Sequence, residues 1–272
     1  MAVDYRTEET VREAAATFRR THGALDWSAK VDDLIKLKGY GQEVYRPRGG
    51  VAEWLKRQIK AVTKKVLALV SVKEQLILIS DELPQPRVPF AKAHELGHAV
   101  LPWHNAIFWA CDEHDLMPGT RDQLEFEANT FASEIIFPDA LMQPFRTNYP
   151  VSLETVLLLK QTSGGSIEAA AYAYVRNHPE KVVLVVLDHV KDEEGNSAGL
   201  KIVRRTFSPP GVRSALSDIE KVQTFAPGHV FVELSRTRNT VHHCKCSMGE
   251  HRFDATVFNN SYKTFVLIHA AA

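Results

Sequence analysis

Two histidines four residues apart bracket an acid in His94-Glu95-Leu96-Gly97-His98. On a helix, positions i and i+4 share one face, so both imidazoles can reach a single cation. Neutral imidazole nitrogen suits Zn2+, which takes N, S and O donors in tetrahedral sites. Glu95 cannot easily join that ligand face, but it can reach a water on the metal, which is the position of a general base. Gly97 keeps side-chain bulk away from the same face.

A carboxylate from a second helix would complete a His2Glu set and leave a fourth position open for water. Glu125-Phe-Glu127-Ala-Asn129-Thr-Phe-Ala-Ser-Glu134 offers three candidates, Glu125, Glu127 and Glu134. Ala128, Phe131, Ala132 and Ile135 form an apolar stripe expected to face the core and the motif helix. Glu125 and Asn129 fall beside Ala128 and Ala132, where small residues allow close approach. Glu127 is rotated about 160° from Glu125, so the two cannot both be ligands. Glu125 is therefore the expected third ligand. Asn129, one turn on, is expected to hold the second nitrogen of a ligand histidine. Glu127 and Glu134 read as solvated.

The elements that must position these groups follow from pattern. Residues 7–22 and 31–38 predict amphipathic helices, and residues 41–47 a short strand leading to the turn Arg48-Gly49-Gly50. Residues 52–61 read as helical. Residues 65–73 and 75–80 are β-branched runs joined at Lys73-Glu74, a predicted hairpin. Pro84, Pro86 and Pro89 precede the motif helix, which Pro102 ends. Residues 103–120 read as loop, with Pro118-Gly119 a turn, and residues 123–137 as the second helix, stopped by Pro138. Helical patterns follow at 140–145, 152–160 and 167–176. Strands are expected at 182–190, 200–207, 229–234, 252–258 and 262–268.

With both motifs in view, Arg87 and Phe90-Ala-Lys-Ala-His-Glu-Leu-Gly-His98, followed by Glu125 through Pro138, resemble the ImmA/IrrE family of metallopeptidases over about residues 25–145. That resemblance implies a zinc-dependent endopeptidase of a bacterial or phage cytoplasm. Its implied substrate is an Xre-type helix-turn-helix repressor, cut to relieve repression. Carried onto this chain, the metal ligands are His94, His98 and Glu125, with Glu95 the catalytic acid/base. Leu101-Pro102-Trp103-His104 departs from the family pattern, in which a histidine often follows the motif closely. IrrE-like members carry a sensor-like domain in the C-terminal third, where this chain matches in general layout.

Composition narrows the alternatives. The 272 residues are 44% hydrophobic and 24% charged, with 33 basic and 33 acidic side chains. A zero formal balance gives no global pull towards nucleic acid or anionic membrane. The apolar runs are far shorter than the roughly 18 residues that span a bilayer. The polar N-terminus and three cysteines suit a reducing cytoplasm better than secretion. Residues 152–176 resemble a helix-turn-helix, but the second helix carries one basic residue, so a packing unit is expected rather than a DNA reader.

His242, His243, Cys244, Cys246 and His251 are a concentrated set of soft donors. The C-x-C spacing, however, lacks the usual pair separation of a zinc site, and alternation sets both cysteines on one side of a strand. Cys111 reads as an ordinary free thiol. His104 and His114 are candidate oxyanion donors for which a solvated loop position is the expected one.

The expected fold is α+β: a zincin-like metallopeptidase domain over 1–150, a helical segment over 151–178, and a β-rich domain over 179–272 for sensing or docking. The expected cofactor is Zn2+, with Mn2+ admitted because affinity alone does not decide loading. The expected partner is a helix-turn-helix repressor, without DNA or membrane. The alternative class is a DNA-binding or ligand-sensing regulator whose metal is structural or vestigial; an intact Glu95 argues against it.

Overall fold

The computed structural model describes residues 5–46, 67–104, 118–191, 194, 197–212, 214–248 and 250–270. The expected turn at Arg48-Gly49-Gly50, the helix at 52–61, Cys111 and His114 lie outside these residues. The chain is a mixed helix and sheet protein that divides into two compact units. The first holds the residues up to Leu141 together with Ser163–Ser166; the second holds Met142–Thr162 and the residues from Ile167 onward.

In the first unit, helices α1 (Tyr5–Thr21) and α2 (Val31–Leu37) precede strand β1 (Gly41–Tyr45). Strands β2 (Ala68–Ser71) and β3 (Leu76–Ser80) form the expected hairpin. β3 is central, pairing parallel with β1 and antiparallel with β2. Ile77, Leu78 and Ile79 are buried accordingly.

A turn of 3-10 helix at Gln85–Arg87 leads into α3 (Val88–Val100), the motif helix. Pro89 falls in its first turn, where no N–H is needed. Leu101 turns extended ahead of Pro102, as a residue before proline must. The chain then makes one more helical turn over residues 102–104, rather than starting a loop at Trp103.

The second helix, α4, runs Pro118–Ile136 and so starts earlier than Gln123. Pro118-Gly119 opens this helix instead of making a turn, because proline's fixed φ suits a helix start. α3 crosses α4 closely at Gly97. A Cβ there would lie 3.3 Å from Ala128 Cα and 3.2 Å from Phe131 Cδ1. The expected stripe of Ala128, Phe131, Ala132 and Ile135 is fully buried. On its other flank Phe18 of α1 meets Phe131, with ring centroids 6.2 Å apart, and buried Arg19 donates to the Ile135 carbonyl at 2.9 Å.

The second unit has helices α5 (Asp139–Thr147), most of which falls here, α6 (Leu153–Ser163) and α7 (Ile167–Arg176). Its six-stranded antiparallel sheet has β4 (Val182–Lys191), β5 (Ser197–Phe207), β6 (Thr224–Phe225), β7 (Val241–Met248), β8 (His251–Asn259) and β9 (Thr264–Ala270), in the order β6-β5-β4-β9-β8-β7. α7 buries Ile167, Ala170, Ala171, Ala173, Tyr174 and Val175, and it packs on β4 and β5.

Two short helices follow, α8 (Pro209–Val212) and α9 (Val230–Leu234); α9 and a 3-10 turn at Ala215–Lys221 cover the sheet core. The expected strand at 229–234 is thus a helix. His229 caps it, accepting from the Phe231 N–H, a local bond that overrides the β-branched pattern. None of the described helices is long and apolar enough to cross a membrane.

Candidate metal centre

The two motif histidines meet α4 where Gly97 and Ala128 let the helices approach. His94 Nε2 and His98 Nε2 lie 3.2 Å apart. Glu125 reaches both, with Oε2 3.4 Å from His94 Nε2 and Oε1 3.8 Å from His98 Nε2. A tetrahedral ion bonded at about 2.0–2.2 Å separates its ligands by about 3.3–3.6 Å, so the three donors are spaced for one ion. They form the group of three metal-ligating side chains found among the described residues.

Burial is graded across the centre. The His98 side chain is 7% exposed, that of His94 15% and that of Glu125 52%. Among the described residues the site is therefore walled on the histidine side and exposed on the Glu125 side.

The donor chemistry also fits a cation. His94 Nδ1–H donates to Asn129 Oδ1 at 3.0 Å, because an amide oxygen can only accept. That leaves the Nε2 lone pair facing His98 and Glu125. Lone pairs converging at this distance repel unless a positive charge lies between them, and a proton or a metal ion can serve.

The charge balance follows from these contacts. Burial works against a charge on His94, but the Glu125 hydrogen bond and the negative charge of Glu95 outweigh it and raise the His94 pKa. The bond from His94 in turn holds Glu125 below the usual carboxylate range. Burial, with the neighbouring His94 and His104, pushes His98 down to about 3, so this imidazole is neutral and ready as a ligand at neutral pH. Glu95 itself is buried, 8% exposed, between the two histidines in sequence.

Three expectations about neighbouring residues are corrected. Glu127 is not solvated: it is 4% exposed, on the face of α4 turned away from Glu125. Its carboxylate accepts from His104 Nε2 at 2.9 Å, from Gln123 Nε2 at 2.8 Å and from Trp103 Nε1. A buried carboxylate needs such donors; Gln123 stands one turn earlier on α4, and Trp103 and His104 come from a turn well separated in sequence.

His104 is not a solvated loop histidine: it is fully buried and its Nδ1 lies 2.9 Å from His98 Nδ1. Glu134 is also buried. It accepts from the Asp139 N–H at 2.8 Å, capping the next helix, and lies 3.6 Å from Arg12. The legible signal for the Glu127 set was its own helix face: a carboxylate opposite Glu125 on a helix packed on several sides has no solvent to face.

Residues 57–174 match the family model of the IrrE N-terminal-like domain, peptidase M78. Among curated proteins the chain is 27% identical over 147 residues to the radiation response metalloprotease IrrE of Deinococcus deserti, a match covering 52% of each protein. It is 34% identical over 88 residues to uncharacterized immunity region protein 2 of Bacillus phage phi105, covering 32% of this chain and 52% of that protein. The chain thus spans about half the length of the curated relatives it matches. Among solved structures, a Mycobacterium tuberculosis transcriptional regulator shares the fold with a TM-score of 0.56 at 12% identity, over 96% of this chain and 76% of that one.

Proposed function

Given that residues 57–174 belong to the ImmA/IrrE family of peptidases, we propose that this protein is a metallo-endopeptidase that makes a site-specific cut in a helix-turn-helix repressor. The observation that carries the peptidase reading is the convergence of His94 Nε2, His98 Nε2 and the Glu125 carboxylate beside buried Glu95. The repressor as substrate rests on the family resemblance, and the name of the phage immunity-region relative agrees with it.

His94, His98 and Glu125 would hold the ion, Zn2+ by donor type and Mn2+ where it is the more available. A divalent ion there supplies Lewis acidity to a peptide carbonyl and makes water a stronger acid. Glu95 takes the proton from the attacking water and hands it to the departing amine. Asn129 holds the His94 ring so that Nε2 faces the site. Glu125, half exposed, leaves one side open for the scissile peptide. Such an open approach takes an extended or locally unfolded segment, not a bond inside a packed helix.

The test incubates the protein and Zn2+ or Mn2+ with helix-turn-helix repressors encoded near its gene, with casein alongside. A single metal-dependent cut in one repressor supports the reading. Broad casein degradation without preference for any repressor reduces it to a general metallopeptidase, and no cleavage of anything rejects it.

A further inference from the structure

The chain of contacts behind His98 has a direction. Glu127 is a carboxylate met by three donors, one each from His104, Gln123 and Trp103. A carboxylate only accepts, so His104 carries its proton on Nε2. Neutral His104 then presents a lone pair at Nδ1. The His98 Nδ1 atom 2.9 Å away must be the donor of that contact. With its proton on Nδ1, His98 has its lone pair on Nε2, the atom that faces His94 and Glu125.

We propose that Glu127 and His104 are positioning residues of the metal centre, a buried carboxylate–histidine relay that holds His98 in the ring orientation and tautomer of a ligand. Partners of this kind orient metal-bound histidines elsewhere, typically through a carboxylate or carbonyl acting directly; here a second imidazole stands between. The arrangement is built rather than incidental. His104 is 0% and Glu127 4% exposed, and Trp103 and Gln123 hold the carboxylate from two further directions.

The two ligand histidines are thus supported differently. His94 has one amide, Asn129, close to solvent; His98 has a four-residue network whose inner members, His104 and Glu127, are buried. The inference rests on His98 being a metal ligand, and the experiment separates the two claims.

The first measurement is made on the metal-free full chain. Long-range proton–nitrogen correlation spectra of the imidazoles are expected to give His98 as the Nδ1–H tautomer and His104 as the Nε2–H tautomer. A His98 ring with its proton on Nε2 overturns the relay, whatever the metal does.

The second is Zn2+ affinity by competition with a chelator. His104→Phe fills the same space without an acceptor and is expected to weaken binding by about 10–100-fold. His104→Gln keeps a side-chain acceptor and is expected to stay within a few-fold of wild type. A purely structural role would not rank the two variants this way, so equal affinity of His104→Phe and wild type, with a normal melting curve, overturns the proposal. If wild type takes up no Zn2+ while the tautomers are as expected, the hydrogen-bonded relay is real but its role at a metal centre falls together with the metal-centre reading.

Discussion

Two histidine-rich regions of this protein meet opposite fates. On α3, His94 and His98 are four residues apart, and one helical turn stacks them 3.2 Å apart at Nε2. On β7, His242, His243, Cys244 and Cys246 are closer in sequence yet do not gather. A strand keeps His242, Cys244 and Cys246 on one face but spaces them roughly 6.6 Å apart along it, and it turns His243 to the other face. Cys244 and Cys246 pack inward against the sheet core, while His243 points out to Glu154 at 2.7 Å.

Electrostatics widens the contrast. Burial, with the neighbouring His94 and His104, leaves His98 neutral, while burial pushes the Cys246 thiol up to about 12 and raises Cys244 too, so both are protonated thiols in the metal-free chain. Density of donor residues in a sequence is therefore a poor guide to a metal site. The period of the element decides which donors converge.

The largest expected effect comes from removing the proposed base while keeping the proposed ligands. Glu95→Gln is expected to lower peptide cleavage by about 10²–10⁴-fold while metal content stays at the wild-type level. Steady-state cleavage of a repressor substrate and elemental analysis on one preparation check it; unchanged cleavage removes Glu95 from the base role.

Next in size, Glu125→Gln replaces the proposed charged ligand with a weak one and is expected to lose most of the bound metal. The double variant Cys244→Ser with Cys246→Ser is expected to lose none. Metal loss confined to the cysteine variant reverses the assignment of the two regions.

A third prediction concerns the helix crossing that makes the site. Gly97→Val drives methyl groups into fully buried Phe131 and Ala128, with the first added carbon already at 3.2–3.3 Å from them. The expected cost is about 1–3 kcal/mol, read from denaturant melts. An unchanged midpoint would mean that the helices do not need this contact.

The smallest expected effect is one of pH and belongs to the second unit. Burial, chiefly, pushes His178 down to about 4, and its Nδ1 accepts from the Glu180 N–H. Between that value and about 6.5 the unfolded chain binds a proton that the folded chain does not, so acid favours unfolding and this contribution to stability rises with pH across that window. His178→Gln is expected to flatten that slope for the metal-free protein, measured by urea melts at several pH values. A slope that stays the same assigns the acid sensitivity to other groups.

Much of the candidate centre is legible in the sequence. The i, i+4 spacing set His94 and His98 on one face, helical rotation separated Glu125 from Glu127, and one further turn brought Asn129 to His94 Nδ1 at 3.0 Å. What was not legible depends on contacts between separate segments. Nothing local says that the turn after Pro102 folds back to bring Trp103 and His104 onto Glu127. Nor does β-branched content reveal that His229 caps a helix instead of opening a strand. Local period is encoded within a few residues, whereas the partner of a buried polar group is chosen by packing.

The central claim is that one divalent ion sits among His94, His98 and Glu125. Crystals grown with Zn2+ and measured on both sides of the zinc absorption edge test it most directly. The expected result is one strong anomalous peak about 2.0–2.2 Å from His94 Nε2, His98 Nε2 and a Glu125 oxygen. A peak on the β7 histidines and cysteines, with none between α3 and α4, would contradict it.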